Sequence, residues 1–544
     1  MKKILAIFCS FAMAFSLVGC GGSSSSASDE FTFVSELDIN TLDSTVSDDG
    51  MSFNAMHACI DGLMGLNAKG KIVNALVDKV EKSDDGLTYT YTLRDDANWS
   101  NGDPVTSDDF VYAWQRIIKN AGNYAYMMGS EGANIAGADA LMEKQSEGTD
   151  LTDADMETLG IKADGDKKLV ITLATPCSYF DELMTFPCYY PINRKFAEKC
   201  GDKYGTKADY IISNGAFKVK SWDLGTQIVY EKNSKYYNKK AVKLNKLTML
   251  LKQDYKTAAT SFDSGNNDFC SINSSLVDKY KDEKSYTTYS EGYLFYLQLN
   301  MKTASLNNYN VRKALSLAIN RTDFAKNVLK DGSKAATGFV PSGLSESPEG
   351  TDFRKDAGSY DSIAYNVKDA QAALDAGLKE LGTDSITLRL TYGTDESPMD
   401  QMATYLQNAF SKLKGLKIEM VATTKKDRIY TKQKNGDFDI ACTRWGPDYG
   451  DPTTYLNLLT ANNANNYGKY TNSAYDAKMK EVQTATDVNA RWQDMVDAEK
   501  IAMNDLPNIP VFEKAAAVLV NTDYTGIVHK PVGVPYTFNY VHAK

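Results

Sequence analysis

The C-terminal third of the sequence predicts an α/β fold, and three stretches carry that prediction. Ile386, Leu388, Leu390 and Tyr392 alternate with polar neighbours, as a strand with one covered face does. Met399, Met402, Leu406, Ala409, Phe410 and Leu413 then recur at helical spacing. Leu416, Ile418 and Met420 return to alternation, and Phe438-Asp439-Ile440-Ala441-Cys442 is a short apolar run of strand length. Strands and helices in this order form parallel units with right-handed crossovers. Ligands of such sheets lie beyond the carboxyl ends of the strands. One of those ends leads into Arg444-Trp445-Gly446-Pro447-Asp448-Tyr449-Gly450-Asp451-Pro452. A carboxylate flanked by Trp445 and Tyr449 can capture a cation in a partly dry cleft, so Asp448 is the first candidate for a binding residue.

The chain has 544 residues, enough for three or four domain-sized units and a large core. Its net charge of −10 excludes the basic surface that nucleic acid requires. Hydrophobic content of 43% and charged content of 24% are those of an ordinary soluble protein. The 33 tyrosines suit half-buried sheet positions and the walls of a polar pocket.

The N-terminus reads as a targeting segment. Lys2 and Lys3 precede the apolar run Ile4 to Val18, and Gly19-Cys20 supplies a small-residue cleavage point. Leu17-Val18-Gly19-Cys20 resembles the lipobox of bacterial lipoproteins, which implies lipidation of Cys20 after removal of residues 1–19. Residues 20–30, with Gly21-Gly22 and Ser23 to Ser26, read as a flexible tether. No later run is apolar and long enough for a membrane span. The expected location is therefore the outer face of the cell membrane, with the lipid on Cys20 as anchor. Cys59, Cys177, Cys188, Cys200, Cys270 and Cys442 remain, and spacing does not choose among their pairings. With no CxxC pair and three histidines, neither a zinc site nor another cofactor is expected.

Taken in order, Phe31 to Val34 reads as a first strand, Leu37 to Gly50 as acidic and irregular, and Phe53 to Leu63 as a helix. Gly70 and Lys71 mark a turn. Asp84-Asp85-Gly86 leads into a strand over Tyr89 to Leu93. Thr106 with Asp109 is a variant capping box opening a helix that buries Phe110, Ala113 and Trp114. Asp153 and Asp155 lack the glycine and terminal glutamate of a calcium loop, so 150–166 reads as a solvated loop before a strand over Leu169 to Leu173.

An ordered set of motifs adds to this reading. Gly86-Leu87-Thr88-Tyr89, Leu93-Arg94, Trp99-Ser100-Asn101-Gly102, Pro104-Val105-Thr106 and Asp109-Phe110-Val111 through Arg116 come first. Asn214-Gly215-Ala216-Phe217 with Trp222, Lys232-Asn233 with Tyr236, and Ser264-Gly265 with Asp268 follow. Asn310-Val311-Arg312-Lys313-Ala314 through Arg321, and Trp445 to Pro452, complete the series. This series resembles the extracytoplasmic solute-binding proteins of peptide ABC importers, family 5, of the oligopeptide-binding kind. The resemblance implies a two-lobed periplasmic-binding-protein-like fold of type II, in its long form with an extra subdomain and a hinge between the lobes. It implies lobe I over 31–65 and 192–296, the extra subdomain over 66–191, lobe II over 297–507 and a return to lobe I over 508–544. Tyr293 to Leu299 and Ile509-Pro510-Val511-Phe512 are the expected crossovers.

The same resemblance implies roles. Asp448 would pair with the α-amino group of a peptide, a charge-assisted contact. Arg444 to Gly446 on one side, and Asp48, Asp49 and Gly50 on the other, would pair with the ligand main chain like added strands. Tyr124, Trp445 and Phe512 match pocket-lining positions. The sequence departs from the family where an arginine is replaced by Cys442, with Arg444 standing two residues later, and where Asn74 replaces a proline. The expected protein is a monomeric receptor that delivers oligopeptides to an ABC permease. The alternative is the same fold with another solute: a dipeptide, a signalling peptide, a nickel chelate, haem or a sugar oligomer. A hydrolase is disfavoured, because neither HExxH nor GxSxG occurs. The one SxxK match, Ser411 to Lys414, ends an amphipathic helix.

Overall fold

A computed structural model of the chain describes residues 28–47 and 50–544. The expectations for Cys20, Asp48 and Asp49, and for the segment before residue 28, lie outside these described residues.

Two long strands organise the molecule. Tyr286–Leu299 and Asn508–Val520 run antiparallel side by side through the middle of an 11-stranded sheet. To one side of Tyr286–Leu299 come Ile440–Trp445, Ile386–Gly393 and Leu416–Thr423. To the other side of Asn508–Val520 come Phe269–Ile272, Glu30–Val34, Lys246–Leu250, Gln227–Lys232 and Phe217–Asp223. The two-residue strand Lys334–Ala335 pairs with the middle of Asn508–Val520, at Phe512 and Glu513. The expected crossovers thus fall within the two strands that join the halves of the sheet.

The three-strand unit read from periodicity is parallel. Ile386–Gly393 pairs parallel with Leu416–Thr423 along its whole length and with Ile440–Trp445 at its middle. The intervening helix Met399–Phe410 buries Met399, Met402, Leu406, Ala409 and Phe410 against it. This apolar stripe is what fixes the helix on the sheet.

The buried residues fall into separate clusters. One cluster gathers Phe31, Trp99, Trp114, Ile228 and Leu247 with much of the segment between them. A second gathers Phe295, Leu297, Leu388, Leu406, Ile440 and Ile509, and a third Phe339, Tyr455, Leu456, Tyr475 and Met495. A four-stranded antiparallel sheet, ordered Val77–Lys82, Thr88–Leu93, Lys168–Thr172, Ile161–Asp164, stands apart from the large one. The helix Ser107–Lys119 packs on it. Its start follows the capping reading: Asp109 Oδ2 accepts from the Thr106 N–H at 3.0 Å, and also from Trp99 Nε1 at 3.0 Å.

Two local expectations need correction. The helix expected over Phe53 to Leu63 is Gly50–His57, and the chain turns before Met64–Leu66. Gly62, in the segment after the helix, packs closely: a Cβ there would stand 2.7 Å from the Met184 carbonyl oxygen and 2.9 Å from the Tyr190 ring. The solvated loop expected over 150–166 contains the short helix Asp153–Met156 and the strand Ile161–Asp164. Thr152 and Asp155 cap that helix, with the Asp155 N–H donating to Thr152 Oγ1 at 3.2 Å. The six cysteines of the described residues are free thiols.

Candidate functional site

The strand Ile440–Trp445 presents a half-used ladder. Against Tyr286–Leu299 its pairing continues to Leu294↔Trp445, whereas against Ile386–Gly393 it ends at Thr391↔Ala441. The last residues of the strand therefore have one edge with no strand paired to it among the described residues. An extended guest can add there.

Beyond Trp445 the chain is pinned from below. Gly292 lies in the irregular part of Tyr286–Leu299, between the register shifts, at φ +72°. A Cβ on it would meet the Pro531 carbonyl oxygen at 2.2 Å and the Pro447 ring at 2.9 Å, so only glycine fits beneath the loop. Tyr455, in the short helix Thr453–Leu456, donates its hydroxyl to the Gly292 carbonyl at 2.5 Å. Gly446 packs equally closely, on the Tyr293 ring. Thr454 Oγ1 accepts from the Asp448 N–H at 3.3 Å and from Trp445 Nε1 at 3.4 Å. The backbone that carries Asp448 is thus positioned by residues on three separate segments.

The loop also reaches across to the small four-stranded unit. Tyr449 is 3% exposed and stacks on Tyr179 at 4.4 Å with the rings within 4° of parallel. Gly450 abuts the carboxylate of Glu182, which pairs with Lys530. Asp451 receives both ends of the Arg491 guanidinium, at 2.7 and 3.0 Å, and accepts from the Thr453 N–H at 3.0 Å. Burial pushes the Asp451 carboxyl up, but Arg491 and Thr453 more than reverse this and leave it below its ordinary range. Asp451 is therefore a structural residue of the turn, as its Asp-Pro sequence suggests.

Asp448 is different. It is half-buried, and no salt bridge to it exists among the described residues. Burial pushes its carboxyl up to about 7, a hydrogen bond from the Tyr126 hydroxyl offsets part of that, and the charge of Glu131 adds to it. Asp448 faces a cavity of about 20 Å³ together with Tyr126, Glu131, Trp445, Asn457 and Asn465. That volume holds roughly one water-sized group, which is also the size of an ammonium head. Two carboxylates and no basic side chain line it. Tyr126 and Glu131 come from the segment around the short helix Ala125–Met128, and the other lining residues come from 445–465. The site exists only where those two parts of the chain meet.

Four of the expected site residues have these surroundings. Tyr124 packs edge-on against Phe53 at 4.7 Å, and Tyr126, two residues later, is the one that reaches Asp448. Phe512 is fully buried in the core, stacked on Phe295 at 4.5 Å, because its face of the strand points into the helix layer of lobe II. Gly50 begins the helix Gly50–His57 with open space around it. The half-buried Arg444 side chain is engaged by the fold: its Nε lies 3.3 Å from Glu396, and its guanidinium lies 4.8 Å from the Tyr293 ring centre. Glu396 itself is shared with the buried Arg428, whose Nη2 donates at 2.7 Å. Glu131 and Asn457 carried no signal in the sequence, since their role depends on which distant loop they meet.

Comparisons with known proteins identify the family. The profile of the family described as bacterial extracellular solute-binding proteins, family 5 Middle, matches residues 71–467. A dipeptide-binding protein of Lactococcus lactis subsp. cremoris is 34% identical over 549 residues, covering 97% of this chain and 96% of its own. The oligopeptide-binding protein OppA of Bacillus subtilis is 30% identical over 572 residues, covering 99% of each. The solved structure of Listeria monocytogenes OppA bound to peptide superposes with a TM-score of 0.77 at 32% identity, covering 95% of this chain and 99% of that one. The mixed α/β sheet, with two long strands joining its halves and a separate small sheet beside it, is consistent with a two-lobed fold of this kind. The chain belongs to the bacterial extracellular solute-binding proteins of family 5.

Proposed function

We propose that this protein is a peptide receptor of an ABC importer, tethered to the outer face of the cell membrane through Cys20. Asp448 holds the protonated α-amino group of the guest, and the free edge of Ile440–Trp445 pairs with the first residues of its main chain. The lobes close over the peptide, and the closed form is what the permease reads. Closure of this kind requires that the guest bind the closed state more tightly than the open one. The stacked Tyr179 and Tyr449 are contacts that exist only when the two parts meet, so they belong to the closed state.

The observation that carries this reading is the Asp448 carboxylate itself. It is desolvated, it has no cation, and it stands at the junction of the two parts of the chain. A carboxylate so placed raises the free energy of the empty site until a positive group arrives. The relatives named as peptide-binding proteins are receptors rather than enzymes, which agrees. Their names divide between dipeptides and oligopeptides, and Arg444 is engaged by Glu396. Peptides of varied length are therefore the proposed guests.

Calorimetry tests the reading. A free-amine tri- or pentapeptide binds the wild type, and its N-acetylated form does not. Unchanged affinity after acetylation overturns the role of Asp448. Mass spectrometry of material purified from cells, in which mass consistent with peptide accompanies the native protein, tests the substrate class.

A further inference from the structure

The cavity at Asp448 carries more negative charge than one α-ammonium removes. Its lining includes the carboxylates of Asp448 and Glu131 and no lysine, arginine or histidine. Asp139 stands close behind: it accepts from the Ser130 N–H at 3.0 Å, and its charge, after burial, raises the Glu131 carboxyl. No salt bridge to Glu131 or Asp139 exists among the described residues. The remaining wall is rich in acceptors. Asn457 lines the cavity, and its Oδ1 is buried with no hydrogen-bond donor. Asn463 and Asn465 add two further amides.

Closing this site on a neutral-side-chain peptide leaves one carboxylate uncompensated in a place that water reaches poorly. Like charges held close in such surroundings repel, and the site then gains by taking up a proton or a second cation. We propose that Glu131 is a specificity-determining residue which favours peptides whose first residue carries a positively charged side chain. The inference rests on the reading of Asp448 as the α-ammonium partner. In it Asp448 answers the main-chain amine, which every free peptide has. Glu131 answers the side chain, which only some have, and the Asn457 oxygen offers the missing acceptor for a cationic N–H.

The test compares two peptides that differ only in charge at the first residue, Lys-Ala-Ala-Ala and norleucine-Ala-Ala-Ala, by calorimetry at low and moderate salt. The wild type is expected to prefer the lysine peptide at least about tenfold, the scale of one well-placed charged hydrogen bond. In Glu131→Gln the preference should fall to about twofold or less. A wild-type ratio at or below one, or a ratio that Glu131→Gln leaves unchanged, overturns the proposal. The N-acetylated norleucine peptide separates the two readings. If it binds as well as the free-amine form, Asp448 has been misread and both proposals fall. If it fails to bind while the lysine preference is absent, only the role of Glu131 falls. The wild-type comparison needs no variant, so the proposal stays decidable even if Glu131→Gln folds poorly.

Discussion

Asp448 and Asp451 sit three residues apart in one loop and have opposite surroundings. Asp451 is 6% exposed, gripped by both nitrogens of Arg491 and capping the turn through Thr453. Asp448 has a tyrosine hydroxyl, a neighbouring carboxylate and a small cavity. Burial acts on both carboxyls, yet one ends below its ordinary range and the other near 7. Burial alone therefore does not mark a binding residue. What separates the two is whether the fold itself supplies the countercharge. Where it does, the acid is part of the scaffold. Where it does not, the countercharge must come from outside.

The contrast can be broken at its stronger end first. Arg491→Met leaves the Asp451 charge buried without a partner, and removing one member of such a pair costs about 3–5 kcal/mol. Urea unfolding should show that loss, and a change below about 1 kcal/mol would place Asp451 among ordinary surface acids. At the other aspartate the sign should reverse between folding and binding. Asp448→Ala should lower affinity for free-amine peptides by about 2–5 kcal/mol while leaving unfolding midpoints equal to or above those of the wild type. A variant that loses stability and retains affinity would exchange the roles assigned to the two residues.

A pH series sharpens the same distinction. The Asp448 carboxyl is raised on folding, so between its ordinary range and about 7 the folded state binds more protons than the unfolded one. Its contribution to the stability of the empty protein is therefore present at low pH and declines as pH rises toward 7. Affinity for free-amine peptides should move the opposite way, rising as Asp448 ionises through that window and falling again where the α-amine loses its proton, near pH 8. Asp448→Asn should flatten the Asp448 part of both profiles. Asp451, held low by Arg491, adds nothing in this window. The smallest expected effect belongs to the closed-state stack. Tyr179→Ala should weaken peptide binding by about 0.5–1.5 kcal/mol, and a double-mutant cycle with Tyr449→Ala should show the two losses to be coupled.

The sequence was informative where local pattern decides structure. Alternation and helical spacing located Ile386–Gly393, Met399–Phe410 and Leu416–Thr423, because each buries one regular face. The pair Thr106 and Asp109 located a helix start, because capping is satisfied within four residues. The same local reasoning overran at Leu63, since the helix ends at His57. The family resemblance matched Phe512 to a pocket wall, although the fold buries that residue in the core. It also matched Tyr124, and the residue that reaches the carboxylate in the structure is Tyr126.

By itself, then, the sequence determined the α/β class, the order of the parallel unit, and the loop that carries a lone aspartate between aromatic residues. Those properties depend on periodicity and turn chemistry, which act over a few residues. Only the tertiary structure decided which aspartate keeps a partner and which does not. Arg491 lies forty residues beyond Asp451, and Glu131 lies more than three hundred before Asp448. Countercharge and desolvation are set by groups that meet in space, beyond the few residues over which local pattern acts.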